Sequence, residues 1–168
     1  MAIDFSKIND ALNRQDERNQ KAIDDRNRNI ENAILKTISK INSNEFEEWL
    51  EDAIIKIIDK DETPELGIKF YVNQDSSINI IILSNGYNLY ENIRYNEVDK
   101  NIFYDDKIVE KTVKQMIKQI IPVVEDRLNE LKIKYREPNK KDIKPRRTYV
   151  TNTRIEIEYW YRLIFKEN

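Results

Sequence analysis

The side chains best spaced for chemistry in this 168-residue chain are Glu156 and Glu158, with Arg154 and Arg162 on either side. Paired carboxylates beside cations are what a divalent-cation site or a carboxylate-only hydrolase requires. A solvated strand face gives the same pattern, because residues i and i+2 of an extended chain share a face. The solvated face is the better reading, since the runs 68–73 and 78–84 lack the closely spaced acidic and lysine residues of many metal-dependent nucleases. A carboxylate-only metal enzyme is the third-ranked alternative.

Other chemistries are excluded by residue type. The chain has no cysteine, so disulfides, thiolate nucleophiles and thiolate metal sites are out. It has no histidine, which removes the commonest general base and metal ligand. Its two glycines, Gly67 and Gly86, stand alone, so no phosphate-cradling loop or dinucleotide fingerprint exists. The acidic stretch 59–62 lacks the glycine and spacing of a calcium loop. The expectation is a protein that is not an enzyme, with no cofactor and no metal.

Binding is better represented. Residues 132–147 hold eight cations (Lys132, Lys134, Arg136, Lys140, Lys141, Lys144, Arg146, Arg147) against Glu137 and Asp142, a segment charge of +6 in a chain of net −2. A lysine and arginine cluster is the electrostatic footprint of phosphate binding, and Trp160 with the neighbouring tyrosines could stack bases. The acidic whole chain, pI near 5.5, argues instead for a solvated loop or a loop that meets an acidic protein. The candidate interaction surface is Arg14, Arg18, Lys140, Lys141, Lys144, Arg146, Arg147, Arg154, Trp160 and Arg162.

These residues need elements to carry them. Residues 6–42 read as one long helix with Ser6 as N-cap, and Ile23, Ile30, Ile34, Ile38 and Ile41 follow its period. Between Leu12 and Ala22 every residue is polar, so that stretch gains little from its own domain. An apolar tip, Ile3, Phe5, Ile8 and Leu12, lies beyond it. A second helix over 45–60, capped by Ser43 or Asn44, buries Phe46, Trp49, Leu50, Ala53, Ile54, Ile57 and Ile58. Strands follow at 68–73, 78–84 and 87–95, the last two joined by a type I′ turn at Asn85-Gly86. Residues 101–104 form a short strand or a lead-in. A third helix begins at Asp105 or Asp106 and runs to about Tyr135, kinked or divided at Pro122. After the basic loop comes the longest strand, 149–166. Its clean alternation predicts one apolar and one wet face, hence an antiparallel or mixed sheet.

The fold expected is α+β: a four- to five-stranded sheet covered by helices in the order ααβββαβ. The helix 1–42 forms an arm and 43–168 a compact domain. At 1.5 Å per residue the arm helix is about 50 Å long, more than the domain's width. It must wrap, protrude or pair with another chain. The expected function is non-enzymatic protein–protein interaction or assembly, with a protein partner or a second copy. Nucleic acid binding through 132–147 is the alternative. The Ile, Asn and Lys bias points to an AT-rich genome, that of a low-GC bacterium, its phage or its plasmid. The roles expected there are a virion structural protein of head–tail joining or tail-completion type, or an inhibitor of a host system. No signal peptide or membrane-spanning run is read, so the expected location is the host cytoplasm or the virion.

Overall fold

The computed structural model describes residues 2–72, 77–84, 87–94, 106–143 and 155–166. Helix α1 covers Phe5–Ile41, α2 Asn44–Asp59 and α3 Asp106–Glu130. The strands are β1 (Glu65–Val72), β2 (Ser77–Ser84), β3 (Tyr87–Arg94), β4 (Lys134–Tyr135), β5 (Asn139–Ile143) and β6 (Ile155–Ile164). The fold is α+β. Four long strands run antiparallel in the order β3-β2-β1-β6, and β4 and β5 pair in succession along the outer side of β6.

Local chemistry explains the helix ends. Asp4, not Ser6, caps α1: its Oδ1 accepts the backbone N–H groups of Ser6 at 3.1 Å and Lys7 at 3.3 Å. A carboxylate is well suited there because it satisfies two of the donors that every helix start leaves open and complements the helix dipole. Ser43 caps α2 through Phe46 N at 3.2 Å. The far ends of α2 and α3 share a device. Asp61 (φ 59°) and Lys132 (φ 60°) turn left-handed, and the next N–H reaches back five residues, Glu62 to Ile57 and Ile133 to Leu128. That closure stops α3 at Glu130, short of the Tyr135 end its apolar spacing suggests. The helix runs on through Pro122, which is exposed and has no N–H to give to the carbonyl four residues earlier.

One face of the sheet carries the core. Leu66, Ile68 and Phe70 of β1 and Tyr161 and Leu163 of β6 are buried there, under Ile30, Ile34 and Ile41 of α1, Phe46, Leu50 and Ile54 of α2, and Val113, Met116, Ile120, Val124 and Leu128 of α3. Helix α3 lies over β1, and α2 lies over β2 and β3. Ile58, assigned to the buried face of α2, is exposed because it lies at the flank of that face, one turn beyond Ile54 and on its outer side.

Register settles the strand order left open by the sequence. The final strand pairs with β1, Phe70 opposite Ile157 and Gly67 opposite Trp160. Ser84 pairs with Tyr87, so β2 and β3 are joined by two residues. Asn85-Gly86 itself, residues 101–104, Asp105 and 149–154 lie outside the described residues. The basic stretch expected as a loop is partly strand. Lys134 pairs with Ile164, and Asn139 to Ile143 pair with Trp160 back to Glu156. Pairing wins because the outer side of β6 otherwise presents a row of open backbone donors and acceptors. Among the described residues, no helix is long and apolar enough to cross a membrane.

Candidate functional site

Three surfaces are candidates, and the charged face of the sheet comes first. Residues Gly67 and Lys69 of β1 stand opposite Trp160 and Glu158 of β6. Lys69 Nζ lies 2.8 Å from Glu156 Oε1 and 3.4 Å from Glu158 Oε1. Glu156 is only 7% exposed. This part of the face is therefore not wet, as strict alternation suggested; the lysine neutralises a pair of largely buried carboxylates. Burial lowers the affinity of the Lys69 ammonium for its proton, but hydrogen bonds and attraction from Glu156 and Glu158 outweigh it, and its pKa rises above the ordinary lysine value. A lysine lodged between the two carboxylates holds the position a cation would take. Among the described residues, no three carboxylates converge on a metal-sized space.

Trp160 completes this face. Its indole covers Gly67 so closely that a Cβ there would sit 2.6 Å from the ring. Its Nε1–H donates to Glu158 Oε2 at 3.3 Å. Half-buried and hydrogen-bonded, Trp160 is a lid over a strand glycine. The isolated Gly67 was the sequence signal for this close approach.

The second surface is the outer edge of the sheet. Lys140 and Lys141 lie on β5, exposed, and Lys141 stands opposite Glu158 in register. Arg136 is exposed and its N–H bonds the carbonyl of Arg162, which is exposed in turn. Pairing thus brings Lys140, Lys141, Trp160 and Arg162 to one end of the sheet. Phe165, half exposed, follows the last residue of β6, six residues along the chain from Tyr159, the partner of Lys140. Lys140 reaches Asp142 only at 3.8 Å. Lys144, Arg146, Arg147 and Arg154 lie outside the described residues.

The third surface is the first half of α1. Residues 2–20 are exposed without exception, Arg14 and Arg18 among them. These two arginines share no element with the cationic edge. The tip side chains Ile3, Phe5, Ile8 and Leu12 are 44% to 70% exposed. Leu12 precedes the buried Ile30 by about five turns at 3.6 residues per turn, so both point to the same side of the helix. The apolar stripe that seals the core thus resumes beyond the domain edge, with nothing beneath it among the described residues.

Sequence reasoning missed the residues that brace these surfaces. Buried Arg127 donates from Nε to the Ile41 carbonyl at 3.1 Å and from Nη2 to Glu47 Oε2 at 3.2 Å. It ties the end of α3 to the corner between α1 and α2. The hydroxyl of Tyr161 donates to Glu125 Oε1 at 3.0 Å, and its ring meets Tyr135 edge-on at 5.4 Å between centroids. Burial, then the Glu125 charge, pushes the Tyr161 phenol well above the usual tyrosine pKa. Neither pairing leaves a trace in local spacing. No family model, curated protein or solved structure matches the chain.

Proposed function

We propose that this chain is a non-enzymatic interaction protein that engages a protein partner, or further copies of itself, through the projecting half of α1. The exposed apolar tip supports this reading most directly: four large apolar side chains at the end of a helix whose residues 2–20 are all exposed. A 37-residue helix is about 56 Å long, and the exposed half reaches roughly 25 Å past the last turns that meet the core. Polar residues along that half keep it in water, while the tip retains side chains whose burial releases free energy, about 25 cal/mol per Å² of apolar surface covered. Such a reach suits an assembly factor, whether a joining component of a virion or an inhibitor that grips a host protein.

The test is Phe5→Asp with Ile8→Asp and Leu12→Asp in the full chain. Association, read by sedimentation or by recovery of partners from the native host, is expected to weaken sharply while the melting temperature stays unchanged. Unchanged association would overturn the reading. So would a large loss of stability, which would place the tip in the chain's own core.

A further inference from the structure

The two ends of the sheet carry opposite charge. Residues 132–143, which supply β4 and β5, hold five cations and two carboxylates, a net +3, and segment 44–62, which supplies α2, holds eight carboxylates and two lysines, a net −6. The strand order β3-β2-β1-β6 with β4 and β5 outermost places the cationic edge at one end. Helix α2 lies over β2 and β3, toward the other.

The outward stripe of α2 is continuous. Glu48, Glu51, Asp52, Ile55, Ile58 and Asp59 recur at steps of three and four, opposite the buried Phe46, Leu50, Ala53 and Ile57. All six are exposed, with Ile55 at 51% and Ile58 at 46%. Lys56 bridges Asp52 within the helix at 2.8 Å, and Glu48, Glu51 and Asp59 form the acidic rim. At the opposite end, Arg136, Lys140, Lys141 and Arg162 are exposed along β4, β5 and the outer strand β6 they pair with. The α2 face has an apolar centre within an acidic rim, the anatomy of a protein–protein contact, and the β4–β5 edge offers a net opposite charge. Lysines on an edge strand disfavour the addition of another strand but accept an acidic helix.

We infer that this face of α2 docks on the β4–β5 edge of a second copy of the chain, a head-to-tail contact. Such a contact uses two different surfaces of each copy, so it propagates into rings or filaments instead of closing as a dimer. It rests on the interaction reading above and adds a second, charge-driven contact to the arm. A second copy fits better than nucleic acid because the opposing charge is present on the same molecule. A polyanion would also meet the α2 face as repulsion.

The experiment compares the full chain with two charge-reversed variants by sedimentation velocity. One carries Arg136→Glu, Lys141→Glu and Arg162→Glu; the other carries Glu48→Lys, Glu51→Lys and Asp59→Lys. All six side chains are exposed, and circular dichroism checks that each variant folds. The natural chain is expected to associate, and to lose most of that association as the Debye length shrinks from about 30 Å at 0.01 M salt to about 3 Å at 1 M. Each variant alone is expected to associate about tenfold more weakly or worse, since like charges then face each other. An equimolar mixture of the two is expected to regain association, because each supplies the surface the other lacks.

A mixture that sediments no faster than its separate components overturns the proposal, as does a variant that associates like the natural chain. Binding of a labelled single-stranded oligonucleotide that is lost in the edge variant, without recovery of self-association on mixing, overturns it in favour of nucleic acid. Failure here leaves the arm reading standing, because the apolar tip is tested by its own substitutions.

Discussion

Lys69, Gly67 and Tyr161 show how single side chains hold this sheet together. Lys69 offsets two carboxylates that burial would otherwise penalise. Lys69→Met is expected to cost about 3 kcal/mol in a denaturant titration, because it leaves Glu156 and Glu158 uncompensated. Adding Glu156→Gln and Glu158→Gln should restore most of that loss; a triple variant as unstable as Lys69→Met would show that the ion pairs are not the cause. Gly67→Ala is expected to cost about 1–3 kcal/mol by driving a methyl into the Trp160 ring, 2.6 Å away. In a double-mutant cycle Trp160→Ala should remove much of that penalty, and strict additivity would refute the contact. Tyr161 tests pH dependence. Its folded pKa is raised above the unfolded value of about 10, so the folded state holds its proton more tightly. The associated stability is fully present below about pH 10 and is lost as pH rises beyond that value. Its phenolate absorbance should therefore appear together with unfolding, and Tyr161→Phe should lack that component. Phenolate formation by Tyr161 in the intact fold would contradict its burial.

At the scale of elements, the helix ends are the telling places. Asp61 and Lys132 adopt left-handed backbone, which costs a side-chain-bearing residue about 1–2 kcal/mol. Asp61→Gly is expected to raise stability by about 0.5–1 kcal/mol in thermal unfolding, because relief of that strain exceeds the added freedom of the unfolded chain. A destabilised variant would mean that the Asp61 side chain contributes something its exposure does not suggest. Helix α1 shows how one periodic pattern serves two purposes. Its stripe is buried at Ile30, Ile34 and Ile41, and resumes exposed at Phe5, Ile8 and Leu12. The period was plain in the sequence, but periodicity says which residues share a side and not what lies beneath them. The same limit explains Ile58, assigned to the core but exposed at the flank of the buried face.

For the whole molecule, packing is uneven in a way that motion should reveal. Among the described residues nothing covers the exposed half of α1, while β1 is flanked by β2 and β6 beneath α3. Amides of residues 8–20 are expected to exchange hydrogen orders of magnitude faster than those of Leu66, Ile68 and Phe70. Protection of the arm in the isolated chain at low concentration would show that it folds back on its own domain. Protection that appears only as concentration rises would instead locate a self-contact there.

What the sequence determined by itself follows from properties of single segments. The absence of cysteine and histidine, the three helices and the four long strands, a cap at Ser43 or Asn44 and the cationic run 132–147 in an acidic chain all belong to stretches of consecutive residues. Their physics is local: hydrophobic period, capping chemistry and formal charge. Only the tertiary structure decided that β6 lies beside β1 and that part of the basic stretch pairs as strand. It alone brought Lys69 to Glu156 and Glu158, Trp160 to Gly67 and Arg127 to the carbonyl of Ile41. Each of these depends on which distant segments meet, and that choice is made by burying the sheet's apolar face and satisfying backbone groups along its edges. Neither demand is visible in spacing along the chain.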